Sequence, residues 1–324
     1  MSTRINVTDS AWSTIHPLAS ADKNAVVAMR QMLAPTKGGM RGTEARPAFE
    51  DIFNPVPAAP GVTYEADSVG GVPGWWCQPA GANSEEAILY LHGGCYVMGS
   101  AKSFRHFVGQ VATRAGASAF VADYRLGPEH QFPDAVEDAQ AAYRGLAARG
   151  VRRIAIAGDS AGGGLGLVLL SLATTEANRV NSHRPVGMLG FSPWTDLLLT
   201  GRSWEDRADA DPIFVRDQMA EFARLYLGDH GPSDPLASPL YGDLAGLPPV
   251  RIHVGEDEVL LDDGQRYVAK AVAAGVDAHV DVWQGMMHVF PSSIGKLVAA
   301  EEALVAAGEF LGERLSTARK SLVA

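Results

Sequence analysis

An α/β class fold, with a mostly parallel sheet of about eight strands, helices on both faces and a helical cap, is predicted by three features of this 324-residue sequence. Short β-rich runs alternate with Ala-rich helical runs from Val62 onward. The first two strand candidates are divided by little more than Gly70-Gly71. Residues 195–230 then break the alternation with a polar loop and an amphipathic helix.

The elements follow in order. Residues 1–60 carry helical patches such as Asp22–Leu33, then a Pro-rich connector around Asn54–Pro60. The strand candidates are VTYEADSV, GWWCQP, AILYLH, SAFVADY, RIAIAG, GMLGFS, VRIHVG and AHVDVW. Helices are predicted near Phe104–Arg114, Phe132–Arg149, Ala161–Glu176 and Asp262–Ala274, with a long one near the C-terminus. Strands separated by helices of this length pair in parallel and are covered on both faces. The first two form an antiparallel hairpin at one edge. Residues 1–50 and 195–230 read as cap elements over the sheet's carboxyl edge, where open α/β sheets bind ligands. The whole chain, 1–324, reads as one domain.

Composition narrows the function classes. Hydrophobic residues make up 47% and charged residues 20%, which supports a large core and argues against a disordered chain. With a formal charge of −10 and no Lys/Arg run, neither nucleic acid nor an anionic membrane is an expected partner. Cys77 and Cys95 lie in neither disulfide nor metal spacing, so no metal is expected. No signal pattern opens the sequence, and no apolar run approaches the roughly 20 residues of a membrane span. A soluble, cytoplasmic protein is the expectation, and a homodimer is left open.

The chemistry concentrates in RIAIAGDSAGGGLG. Gly158-Asp159-Ser160-Ala161-Gly162 is G-x-S-x-G between a strand and a helix, the context in which the motif presents a nucleophile. The glycines leave room for a tight turn, and the helix N-terminus favours developing negative charge at Ser160. A phosphate loop would want a lysine after the glycines, and none follows.

A serine nucleophile needs a base and an orienting acid, in the chain order Ser, Asp/Glu, His. His279 falls inside a strand, whereas His288 lies in the loop WQGMMHVF, so His288 is the expected base. Glu256, Asp257, Glu258, Asp262 and Asp263 compete for the acid after VRIHVG. Asp257, close to the strand end, is the expected acid, and Asp262 reads as the N-cap of the next helix. Upstream, the strand AILYL runs into His92-Gly93-Gly94-Cys95, which is either a plain turn or a loop exposing N–H groups to an anion.

Several separated motifs over residues 60–310 resemble the hormone-sensitive-lipase-type branch of the α/β-hydrolases. They are HGG, GDSAGG, DYRLGPEHQFPDAVED, SPWTD and GMMHVF. The resemblance implies the α/β-hydrolase fold and a triad of Ser160, Asp257 and His288. It also implies an oxyanion hole from Gly94, Cys95 and Ala161, with Gly93 giving the loop room. The chain departs from the family at HGGC, usually HGGG, and after Asp257, where Glu258-Val259-Leu260-Leu261-Asp262 stands against the usual D-P-L-x-D. Trp194, Trp204 and Phe214 are candidates to line the substrate pocket, weighed against plain packing. Asp159 and Asp196 read as structural hydrogen-bonding groups.

The function expected is a carboxylic-ester hydrolase working through a serine acyl-enzyme without a cofactor. Its substrate would be a small ester or lactone, with short-chain, alicyclic and lactone esters favoured; the resemblance to alkyl-ester and lactone hydrolases is weaker. The alternatives are an amidase or peptidase-like hydrolase, and a non-catalytic small-ligand receptor on the same fold.

Overall fold

A computed structural model describes residues 10–180 and 183–322. Among these, nine strands form one sheet. They are β1 (Ser13–His16), β2 (Val62–Val69), β3 (Val72–Pro79), β4 (Glu86–Leu91), β5 (Ser118–Ala122), β6 (Arg153–Asp159), β7 (Met188–Phe191), β8 (Val250–Gly255) and β9 (Ala278–Trp283). Their order across the sheet is β1-β9-β8-β7-β6-β4-β5-β3-β2. The β2–β3 hairpin and the β3–β5 pair are antiparallel, and every other pair is parallel.

The helices are α1 (Lys23–Leu33), α2 (Arg46–Glu50), α3 (Ala101–Ala115), α4 (Asp134–Ala148), α5 (Ser160–Val180), α6 (Ser203–Asp206), α7 (Arg216–Leu227), α8 (Leu261–Ala273) and α9 (Val298–Leu322). Strands β4, β5 and β6 are buried along their whole length, which is why they read as near-continuous apolar runs. Alternate residues feed opposite cores. Leu89 and Ile156 join the side packed by α4, α5 and α8, while Ile88 and Ala155 join the side packed by α3 and α9.

The ninth strand corrects the expected count and the reading of residues 1–50 as cap alone. Ser13–His16 is too short to carry a period, and long-range contacts decide its state. His16 stacks on Trp283 with ring centres 3.8 Å apart, and its Nε2 lies 2.8 Å from Asp281. Thr14 Oγ1 bonds His279 Nε2 at 2.9 Å.

The cap elements sit as their patterns require. In α7, Met219, Phe222, Ala223, Tyr226 and Leu227 are buried at helical spacing, one face of the helix. Helix α1 packs Val26 against Trp283, Met286 and the start of α9. Asp22, just before α1, accepts the N–H groups of Val298 (2.7 Å) and Ala299 (2.9 Å), capping α9 from a distant part of the chain. Asp262 does not cap α8. Its Oδ2 accepts the N–H of Ser203 at 3.1 Å and so fastens α6 to α8.

Candidate active site

The turn from β6 into α5 holds Ser160 with a φ of +52°, in the left-handed region that L residues seldom occupy. The turn is tight because Gly158 and Gly162 have no side chains. A Cβ on Gly158 would come within 2.5 Å of the Gly162 carbonyl oxygen, and one on Gly162 within 2.1 Å of that of Leu91. The Ser160 carbonyl is anchored by the N–H of Trp194 at 2.9 Å. Sharp strain at a βα turn is what lifts a serine hydroxyl clear of the sheet.

The HGGC stretch wraps against this turn. Gly93 donates its N–H to Asp159 Oδ1 at 3.1 Å. A Cβ on Gly93 would meet Asp159 Oδ2 at 2.2 Å and Ser160 Cβ at 3.2 Å, so glycine gives the loop room there. Gly94, Cys95 and Tyr96 follow with φ of 118°, 57° and 62°. Cys95 therefore does not hold the ordinary backbone geometry that would make it a simple stand-in for glycine. Its thiol is buried against Met219, and burial pushes its pKa up to about 12, which keeps it neutral. The N–H of Ala161 belongs to the first turn of α5, where N–H groups have no acceptor within the helix. His92 is a wall residue. It is fully buried, stacks on Tyr124 at 4.5 Å, and its Nδ1 lies 2.7 Å from the Gly93 oxygen.

His288 follows β9 in a loop, its ring edge-on to Phe214 with centres 4.9 Å apart. Its Nδ1 stands 3.6 Å from Glu258 Oε1, a charge-pairing distance longer than a hydrogen bond. Such pairs often tighten only when substrate docks. Glu258 is fully buried, and its Oε2 accepts from Ser192 Oγ at 2.8 Å and from Gly255 N–H at 3.2 Å. Ser192 Oγ also accepts the N–H of Val289 at 3.1 Å, so one hydroxyl joins the loops that carry Glu258 and His288.

Asp257, the expected acid, is not beside the histidine. It is half-buried and pairs with Arg30 of α1 at 2.5 Å, and its own N–H donates to the Met286 oxygen. The register explains the miss. Glu258-Val259-Leu260-Leu261-Asp262 occupies the five positions of D-P-L-x-D, so counting back four from Asp262 lands on Glu258. His279 lies on β9 against Thr14, away from these groups.

Ser160, His288, Gly94, Cys95 and Asp159 line one cavity of about 400 Å³. Its apolar wall includes Met29 and Leu33 of α1, Phe49 of α2, and Ile213, Phe214 and Phe222 of the insertion. Of the three aromatic candidates only Phe214 lines this cavity. Trp194 and Trp204 are core residues, and Trp194 gives its indole N–H to the Asp196 carbonyl at 3.1 Å. The lining from α1 and α2 could not be read from the sequence, since those helices carry no motif.

Asp196 is structural, accepting from Thr200, Tyr241 and Arg266. Asp159 is more than that, because it lines the cavity while its Oδ1 accepts from Tyr90 at 2.9 Å and from Gly93. Burial raises its pKa from 3.8 to about 7, with Tyr90, the charge on His288 and Gly93 pulling the other way. The native state thus holds this proton more tightly than the unfolded chain does. The group's contribution to stability falls as pH rises from about 4 to about 7 and is flat above. Asp159→Asn removes the charge while keeping an acceptor. Its gain in melting temperature is expected to be larger at pH 8 than at pH 5, by about 3 °C on an order-of-magnitude conversion. Equal gains at both pH values in a thermal melt would show that Asp159 is already ionised at pH 5 in the fold and that burial does not raise its pKa.

With this geometry in place, the chain's relatives agree on its class. The family model described as alpha/beta hydrolase fold matches residues 88–292, more than half of the chain. The chain belongs to the hormone-sensitive-lipase-type esterases of this fold. A crystal structure of an esterase from the bacterial hormone-sensitive lipase family is 39% identical, with a TM-score of 0.84 over 92% of this chain and 99% of that one. An acetyl-hydrolase of Streptomyces hygroscopicus is 37% identical over 81% of this chain and 86% of its own length. An esterase of Acinetobacter venetianus is 32% identical over 85% and 90%, respectively. The protein is an esterase. Among the described residues no helix is long and apolar enough to cross a membrane.

Proposed function

We propose that this esterase hydrolyses small carboxylic esters and lactones through a serine acyl-enzyme, with Ser160 as nucleophile, His288 as base and Glu258 as the orienting acid. The observation that carries this reading is the meeting of Ser160, His288 and Gly94 on one cavity, with Glu258 behind the histidine. Ser160 Oγ attacks the ester carbonyl while His288 takes its proton, and Glu258 steadies the imidazolium that forms. The negative tetrahedral oxygen is held by the N–H groups of Gly94, Cys95 and Ala161 beside the positive end of α5. Collapse expels the alcohol, which takes the proton from His288. Water then attacks the acyl-enzyme by the same route and releases the acid.

Finite cavity volume supports short-chain, alicyclic and lactone esters. A space of about 400 Å³ is at the small end of ligand pockets, and α1, α2, the 212–214 segment and α7 act as the cap that bounds it within a single domain. Each methylene buried contributes about 0.8 kcal/mol, roughly fourfold in kcat/KM, until the space is full. In a p-nitrophenyl ester series kcat/KM is expected to rise from acetyl to butyryl or hexanoyl and to fall steeply beyond. Palmitoyl esters hydrolysed as fast as butyryl esters in the same detergent would mean an open-ended pocket and would sink the size assignment.

A further inference from the structure

Three backbone groups, on Glu256 and Val259 around Glu258, are gripped by the insertion that follows β7. Arg207 Nε donates to the Glu256 carbonyl at 2.8 Å, Ser203 Oγ donates to the Val259 carbonyl at 2.5 Å, and the Val259 N–H donates to Asp211 Oδ2 at 2.9 Å. The last contact differs in kind, since Asp211 is fully buried and its other oxygen is also engaged. Oδ1 accepts the N–H groups of Ile213 (2.7 Å) and Phe214 (2.9 Å). Phe214 is the ring set edge-on against His288. One carboxylate therefore fixes the residue after the proposed acid and the residue that walls the base.

We propose that Asp211 is a positioning residue of the hydrolytic reaction, setting Glu258 against His288 through the Val259 N–H and through Phe214. The proposal rests on the Ser160–His288–Glu258 reading above. It also concerns this chain in particular. Val259 stands where the D-P-L-x-D pattern has proline, and proline has no N–H to give. A proline there would stiffen the acid loop by its ring, whereas here a buried charge-assisted hydrogen bond from the cap restrains the same backbone. The cap segment at 211–214 and the acid loop are thereby held by one group. In this arrangement the geometry of the base depends on the element that covers the pocket.

The test uses the full chain and kinetics on p-nitrophenyl butyrate. Asp211→Asn keeps an oxygen for Ile213 and Phe214 but offers an amide N–H to the Val259 N–H, so the tie to the acid loop is broken. It is expected to lower kcat 10- to 100-fold with KM changed less than threefold. The low-pH limb of the kcat/KM profile should also move to lower pH, since a carboxylate held less closely favours the imidazolium less. Val259→Pro removes the other partner, and the loss in Asp211→Asn/Val259→Pro should be smaller than the product of the two single losses. Multiplying losses, or an Asp211→Asn enzyme with wild-type kcat and an unmoved pH limb, would overturn the proposal. A parallel drop in kcat and melting temperature with an unmoved limb would overturn it as well, marking Asp211 as structural only. Should Val259→Pro fail to fold, the kcat and pH limb of Asp211→Asn decide alone. Wild-type turnover in Glu258→Gln would instead refute the triad reading, and the two failures are separable because they come from different variants.

Discussion

Ser160→Ala and His288→Ala are each expected to abolish measurable ester hydrolysis while the melting temperature shifts by no more than about 2 °C. Neither side chain supports the core. Ser160 sits at a turn shaped by Gly158 and Gly162, and His288 rests edge-on against Phe214. The losses should not add in the double variant, because nucleophile and base act as one unit. Covalent labelling tests the nucleophile directly. An organophosphonate should label the wild type rapidly at Ser160 and leave His288→Ala unlabelled, because only an activated hydroxyl attacks phosphorus at speed. Full turnover in His288→Ala would remove the base assignment, and slow labelling of the wild type would remove Ser160 as the nucleophile.

The second large effect separates two neighbouring carboxylates. Glu258→Gln is expected to lower kcat by roughly 10³–10⁴, the scale seen when the orienting acid of a triad becomes an amide. Asp257→Asn should stay within about threefold, since it loses only a partly exposed pairing with Arg30, a type of contact that contributes little to stability. The buried position of Glu258 and its bonds to Ser192 and Gly255 leave an amide there well placed but uncharged, so the loss should appear in kcat with little change in fold. The reverse ranking, measured as kcat at saturating butyryl ester, would return the acid to Asp257 and detach His288 from Glu258.

These two residues also show where reading the sequence succeeded and where it stopped. Strands VTYEADSV, VRIHVG and AHVDVW run over the same residues in the structure, because turn residues bound each one and its composition is β-rich. Ser160 could be read because its conformation is decided within five residues, by glycines on both sides. The acid could not be chosen that way. Five carboxylates lie within residues 256–263, and what sorts them arrives from elsewhere in the chain. Arg30 draws Asp257 towards α1, Ser192 and Gly255 hold Glu258 inward, and Asp263 accepts the N–H groups of Thr195 and Asp196. Closeness to the strand end pointed to the carboxylate that pairs with Arg30, whereas the motif's spacing back from Asp262 points to the one beside His288. The pocket wall failed for a similar reason. Trp194 and Trp204 are large and near the cap in sequence, yet they serve the core, while Met29 and Leu33 reach the cavity from a helix without any signature.

The short strand β1 has a meaning for how the protein is handled as a material. A sheet edge with free N–H and C=O groups invites pairing with any extended chain. Strand β9, alternating and rich in valine, would be such an edge, and four residues of β1 cover it in parallel from Ser13↔Val280 to His16↔Trp283. An affinity tag or truncation that pulls Ser13–His16 away strips this cover from the strand leading directly to the His288 loop. Detaching Ser13–His16 is therefore expected to cost colloidal stability and activity together.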